Sequence, residues 1–365
     1  MITGILVAVL VIGVLIAVHE FGHFVFAKLF GVGVERFSIG FGPALFSKKM
    51  GETEYVLSLV PLGGYVKMAG EGDNDEKPVN SGKSFDKKPV WKRIVICLAG
   101  PVFNILFALV LIVFANLIYG IPTLTTKIGG VVAGSPAEKS GLVKGDIVIG
   151  VEIVTPVSGN GFTSVWKWEE LTDFIKNNEK KELIFFVLPK GMPPAVEIHV
   201  VPELKDTKNL FGESEKRYVI GIQPADPVFI KDPVSAVPLG VNITSNMLKI
   251  VGLGFWKLMT GQLAVKDSLG GPILIGQAGS NAYSTAGFIG IMFFTAIFSI
   301  NLGILNLLPI PMLDGGYIPF LLIEAVRGKP VSIKTREKFF RIGLAILLLI
   351  MAFAVFNDIS RVFSK

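Results

Sequence analysis

Cysteine is nearly missing from this chain. With Cys97 alone among 365 residues no intrachain disulfide can form, and the redox compartment stays open. Charge is scarce too: Asp, Glu, Lys and Arg make up 18% against an apolar share of 51%, a balance that excludes a wholly soluble chain and points to a membrane protein with a soluble part. The formal charge of +6 gathers into no dense basic block, so it speaks against a nucleic-acid partner; Lys and Arg instead flank apolar runs, as in membrane loops. No internal repeat or low-complexity tract is present, which excludes a solenoid. Histidine occurs three times, and two of the three fall with a glutamate inside "AVHEFGHFVF", Ala17 to Phe26. A charged group at the centre of a membrane helix costs roughly 2.5–3.5 kcal/mol, so such residues need a function to persist there.

Four apolar segments approach or exceed the ~20 residues needed to cross a bilayer: Ile2 to about Phe30, Ile94–Tyr119, Gly287–Leu308, and about Phe339–Phe356. The first has no Lys or Arg before it and runs past any plausible cleavage point, which argues against a signal peptide. Eleven Lys and Arg lie between Lys28 and Arg93 and six between Pro309 and Arg341. Both connections are therefore expected in the cytoplasm, with the N-terminus and the long stretch from Gly120 outside. The expected fold is a polytopic α-helical membrane protein of four transmembrane helices, with an inserted α+β extracytoplasmic domain and a membrane-associated β-hairpin. The boundaries are 1–120 and 283–365 for the two halves of the membrane core, 121–237 for the soluble domain and its linker, and 238–282 for an amphipathic piece on the membrane surface.

Within the soluble stretch, "GGVVAGSPAEKSGLVKGDIVIGVE" reads as strand, short helix, glycine turn and strand. "WKWEELTDFIKNN" has a helical pattern, and "ELIFFVLPKG" and "AVEIHVVPEL" read as further strands. Gly134, Ser135, Pro136, Ala137, Gly141, Leu142, Gly145 and Asp146 resemble the bacterial PDZ pattern, which implies an edge that takes up an extended peptide or substrate tail; a β-rich spacer without ligand is the other reading. From Pro238 to Thr260, Val241, Leu248, Val251, Phe255 and Leu258 recur at helical spacing, as in a helix on the membrane surface or against other protein. Gly70–Pro89 is polar and reads as a loop.

His19, Glu20 and His23 form H-E-x-x-H. On a helix the two imidazoles project from one face and can hold one zinc ion, with Glu20 placed as a general base. A catalytic zinc takes three protein ligands, and the remaining histidine, His199, lies in a predicted strand of the soluble domain. Asp314 follows two prolines in "NLGILNLLPIPMLDGG", backbone suited to lining a cavity. A surface turn would also accommodate it.

Together these motifs resemble the intramembrane site-2 zinc metalloproteases. The resemblance is carried by H-E-x-x-H, by Asn306, Pro309, Asp314 and Gly315, and by "PLGGYVKMAGE", "CLAGPVFNILFA" and "GGPILIGQ", as in the bacterial regulator of sigma E protease group. It implies Zn2+ held by His19, His23 and Asp314, Glu20 as catalytic base, and Asn306 as a contact for substrate or oxyanion. It also implies a β-loop at Pro61–Gly70 whose Gly63, Gly64, Tyr65 and Val66 would pair with an unwinding substrate. The implied partners are the lipid bilayer and proteins with a single transmembrane segment, such as anti-sigma factors or remnant signal peptides, cut in a bacterial inner membrane. Members of the group often carry two tandem PDZ domains, whereas this chain has room for one. A PDZ membrane adaptor and an ion-coupled transporter using Glu20 and Asp314 are the readings from other classes.

Overall fold

A computed structural model describes residues 2–71, 82–154, 162–209, 212–263 and 270–363. The chain divides into two compact units, Met1–Ala115 with Val237–Lys365, and Asn116–Ala236.

The first unit begins with α1 (Ile2–Leu29), and after a ribbon of two strands comes α2 (Val90–Tyr119). Both helices are apolar around most of their circumference, which suits helices that meet lipid or protein on every side. The ribbon, β1 (Val34–Met50) and β2 (Thr53–Met68), reverses at Gly51, where φ is +62°. It bends repeatedly, so that residues 36–39 pair twice, with 54–57 and with 64–67. The hairpin expected at Pro61–Gly70 is thus the last limb of a larger ribbon. A Cβ on Gly40 (φ +93°) would lie 2.8 Å from the Val60 carbonyl oxygen, so this bend requires glycine. Phe41, Leu45, Phe46, Leu57 and Leu59 remain exposed along it. Its turn is pinned by Lys28 and Lys83, whose 2.7 Å hydrogen bonds to Glu52 hold that carboxyl down to about 2. Within the polar stretch Gly70–Pro89, residues 72–81 lie outside the described residues; after these, Phe85 is buried against Tyr317 and the ribbon's base.

In the second unit β3 (Ile121–Thr123) pairs with β12 (Val228–Ile230), and β4 (Ile128–Val131) with β11 (Ile222–Pro224). The short helix α3 (Pro136–Lys139) leads to a sheet ordered β6 (Thr163–Ser164), β5 (Ile147–Ile153), β7 (Leu183–Leu188), β8 (Val196–Val200). Helix α4 (Trp168–Asn177) buries Leu171 and Ile175 in a core with Val148, Val151, Phe185 and Val187. A hairpin of β9 (Glu203–Lys208) and β10 (Ser214–Val219) completes it. The strand and helix pattern expected from Gly129 to Leu204 is present. The residues behind it act locally: Ser135 caps α3 by accepting from the Glu138 N–H, Gly134, Gly141 and Gly145 all have φ between +73° and +100°, and Asp146 accepts from the Val143 and Lys190 amides.

The first unit resumes with α5 (Pro233–Met259), α6 (Pro272–Leu307), α7 (Asp314–Arg327) and α8 (Ile333–Phe363). Five helices, 9–29, 90–119, 233–259, 273–307 and 334–361, are long and apolar enough to cross a membrane. The expected four undercounts them. The extra one is α5, where Asn242, Ser245, Asn246 and Lys249 interrupt the apolar run and conceal its length. Of the 238–282 segment, residues 238–259 belong to α5 and 272–282 to α6, and Ile243, Met247, Leu248 and Val251 pack against Ala108 and Ile112 of α2 and Ala296 and Ile300 of α6. α6 is broken at Gly287 (φ +60°, ψ −140°), where the third expected segment begins. Its N-terminus is closed by α8: the buried Asp358 carboxylate accepts from the amides of Gly271 (3.0 Å), Ile273 (2.9 Å) and Leu274 (3.1 Å), satisfying donors that lipid could not.

Candidate metal centre

His19 and His23 lie one turn apart on α1 and face α2. Glycine brings these helices together: a Cβ on Gly22 would lie 2.6 Å from the Ala99 carbonyl oxygen, and one on Gly100 would lie 2.3 Å from His23 Nε2 and 2.8 Å from His19 Cε1. Pro101, inside α2, offers no N–H to the carbonyl of Cys97 and loosens the helical ladder at this level. One residue earlier, the carbonyl of Ile96 accepts a 2.8 Å hydrogen bond from His23 Nδ1. That bond fixes the tautomer and leaves the His23 Nε2 lone pair free.

Asp314 arrives from the other half of the unit. The chain leaves α6 at Leu307, passes Pro309 and Pro311, takes a positive φ of 76° at Met312 and re-enters a helix at Asp314. Gly315 and Gly316 allow this tight return, since a Cβ on them would fall 2.3 Å from the Leu308 oxygen and 2.2 Å from the Ile310 oxygen.

The outcome is a triangle of donor atoms. Asp314 Oδ2 lies 3.0 Å from His19 Nε2 and 3.4 Å from His23 Nε2, and the two nitrogens are 3.2 Å apart. Tetrahedral zinc with bonds of about 2.0–2.1 Å requires donor atoms about 3.3 Å apart. Oδ2 is buried without a hydrogen-bond partner. Lone pairs converging in a dry site repel one another unless a cation stands among them, so the donor set fits a divalent metal ion.

Outer contacts hold the imidazoles. Asn104 Nδ2 lies 3.2 Å from His19 Nδ1, while Asn104 Oδ1 is buried without a partner. Turning the amide end for end resolves both faults: Oδ1 then accepts from Nδ1–H and leaves Nε2 to the metal. Asn104 is itself fixed through its carbonyl, which accepts 2.6 Å from Ser299 Oγ of α6.

Beside the triangle is a cavity of about 220 Å³, lined by Ile16, Glu20, Gly63, Gly64, Leu302 and Asn306 together with His19 and Asp314. Glu20 thus shares the space in front of the donor atoms. Asn306 is buried, its Nδ2 3.5 Å from His19 Nε2. Gly64 has no room for a side chain, since a Cβ would meet the Ser38 oxygen at 2.8 Å and Glu20 Cγ at 3.0 Å. Tyr65 and Val66 continue the strand without lining the cavity: the Tyr65 ring stacks on Phe41, and Val66 packs into the ribbon's core. His199, in the second unit, contacts Glu182 at 2.9 Å. Gly100, Asn104 and the Ile96 carbonyl carry no metal-site signature of their own; the sequence shows the first two only as parts of "CLAGPVFNILFA".

The sequence profile of Peptidase family M50 matches residues 7–350. A provisionally named zinc metalloprotease of Clostridium acetobutylicum is 36% identical over 357 residues, covering 97% of both chains. The regulator of sigma-W protease RasP of Bacillus subtilis is 30% identical over 433 residues, covering 97% of this chain and 98% of its own. The zinc metalloprotease RasP of Oceanobacillus iheyensis is 29% identical over 438 residues, with 99% and 100% covered.

Proposed function

Because the chain belongs to Peptidase family M50 and is a zinc metalloendopeptidase of the site-2 type, we propose that it cuts membrane-spanning segments of other proteins at a centre where His19, His23 and Asp314 hold zinc and Glu20 is the catalytic base. The observation that carries this reading is the convergence of three donor atoms, 3.0–3.4 Å apart, beside Glu20 and among helices of membrane-crossing length. The family assignment sets aside the adaptor and transporter readings.

Bound zinc supplies Lewis acidity, lowering the pKa of water and polarising a carbonyl. Glu20 takes the proton of the attacking water and returns it to the leaving amine. Asn306, across the same cavity, donates from its amide to the carbonyl oxygen of the bound peptide. A helical substrate hides its carbonyls in i to i−4 bonds and must be opened first. The limb 64–67 of β2 pairs on one side with 36–39, and Gly64, with Gly63 just before it, lines the cavity; an unwinding substrate strand adds to its other edge. The exposed apolar residues of the ribbon rest in lipid.

The proposed substrates are single-span anti-sigma proteins or remnant signal peptides of a bacterial inner membrane; the name of one relative, the regulator of sigma-W protease, supports the first by its reference to sigma-factor regulation. The second unit serves as an extracytoplasmic PDZ-like domain that receives a peptide tail. It has a groove of about 560 Å³ between α4 and β10–β11, lined by Trp168, Ile175, Tyr218 and Ile222. For topology, α1, α2, α6 and α8 cross in alternate directions. α5 starts against the end of α2, with Gly240 packed on Val113, and α6 starts beside Asp358 near the end of α8. Both starts belong to the side that α2 and α8 run towards, so α5 adds no net crossing, and Asp314 reaches the side of His23.

The test uses three purified variants, with bound zinc and cleavage of a synthetic membrane-spanning substrate measured for each. Glu20→Gln should lose roughly 10²–10⁴-fold in cleavage with zinc retained. His23→Ala and Asp314→Ala should lose zinc and activity together. Normal cleavage by Glu20→Gln would sink the mechanism, and normal zinc in Asp314→Ala would send the search for the third ligand elsewhere.

A further inference from the structure

The two helices that carry the proposed ligands, α1 and α7, are tied to a single stripe of α2. The Ile96 carbonyl accepts a hydrogen bond from His23 Nδ1–H, Gly100 lies against both imidazoles, and Asn104 faces His19 Nδ1. These residues recur at four-residue spacing, so they share one face of the helix. Arg93, three residues before Ile96, continues the stripe. Arg93 is 4% exposed, and its guanidinium forks onto both carboxylate oxygens of Glu324, Nη1 to Oε2 at 3.1 Å and Nη2 to Oε1 at 2.5 Å, while Nε donates to the Lys88 carbonyl. Glu324 belongs to α7, the helix that Asp314 opens. Ten residues, about 15 Å of helix axis, separate the two acids.

Among the described residues, no other paired hydrogen bond joins α7 to α2. Apart from Asp314 at the metal centre, α7 has a polar tie between Tyr317 OH and Arg336 Nη1 at 3.0 Å, which leads to α8. A bidentate guanidinium–carboxylate pair fixes both distance and plane. We propose that the Arg93–Glu324 fork is a positioning clamp for the metal centre: it sets the axial placement of α7, and with it Asp314, against the same helix that orients His19 and His23. This rests on the ligand set proposed above, and it assigns a pair remote from the cavity to the upkeep of that set.

A pair that served only folding would affect stability and leave metal retention untouched, so the two are measured separately. Full-length protein in detergent is loaded with zinc, metal loss to a chelator is timed, and kcat, KM and a thermal melt are recorded. Arg93→Lys keeps the charge but loses the fork, and Glu324→Gln keeps the shape but loses one acceptor. The double change Arg93→Met with Glu324→Leu removes both charges, so that neither is left buried and unpaired.

Each variant should release zinc at least about tenfold faster than the parent, as removal of outer-sphere support does, and should lower kcat with KM little changed. The double variant should melt within a few degrees of the parent. Parental zinc release and kcat in the double variant would overturn the proposal. Should that variant fail to fold, parental values in both conservative variants would do the same. Asp314→Ala, run alongside, separates the two ideas: retained zinc there removes the ligand set, whereas loss there with parental release in the fork variants removes only the clamp.

Discussion

Gly100 has less freedom than either histidine it touches. Alanine is the better helix former by roughly 1 kcal/mol, yet its methyl would enter the space of both imidazoles. Gly100→Ala should therefore lose zinc and cleavage while helix content by circular dichroism stays at the parental level. Retained zinc would mean that α1 can shift aside. At this scale the sequence was readable where chemistry leaves an unusual residue in an unusual place: His19, Glu20 and His23 in an apolar run, and Asp314 after two prolines, and the structure brings His19, Glu20 and Asp314 to one cavity with His23 3.4 Å from Asp314. It was not readable where a common residue acts through position. A glycine, an asparagine and a backbone carbonyl are ordinary in any membrane helix, and their roles emerge only once α1 lies across α2.

Among the elements, the ribbon exceeds what its sequence advertises. "SIGFGPALFSKK" has glycines and a proline where alternation would mark a strand, so β1 went unread and only the final limb of β2 stood out. The ribbon's turn offers a pH test. The Glu52 carboxyl is held down to about 2, first by the Lys28 hydrogen bond and then by that of Lys83. A depressed folded value means that the tie is complete above the ordinary value near 4.5 and is lost as the pH falls through about 2. Amide protection in the ribbon should exceed that of Glu52→Gln at pH 6, by a modest margin because the carboxylate is partly exposed, and the two should converge at the acid end. A gap that persists below pH 2 would contradict the tie. In the second unit the residues of the PDZ-like pattern act locally. Ser135 caps, three glycines turn and Asp146 ties loops, whereas the groove is lined by α4 and the late strands β10 and β11, two elements too polar or too short to announce themselves.

For the whole molecule, loop charge and helix pairing support one topology, and labelling can check it. In a Cys97→Ser background, Lys190→Cys should react with an impermeant maleimide on intact cells, and Lys329→Cys should react only after the membrane is opened. Labelling of both from outside would overturn the alternating arrangement. Helix count was the weak point of the sequence reading, because a helix such as α5, which packs its apolar positions on neighbours and carries polar residues between them, has no continuous run to detect. The Asp358 cap also bears on biosynthesis. The amides of Gly271, Ile273 and Leu274 wait for a carboxylate 84–87 residues further along the chain, which is made well after Asp314. Until Asp358 has been made, the start of α6, the helix that leads to Asp314, lacks the carboxylate that closes it, so this contact joins α6 only after the last helix of the chain has been synthesised.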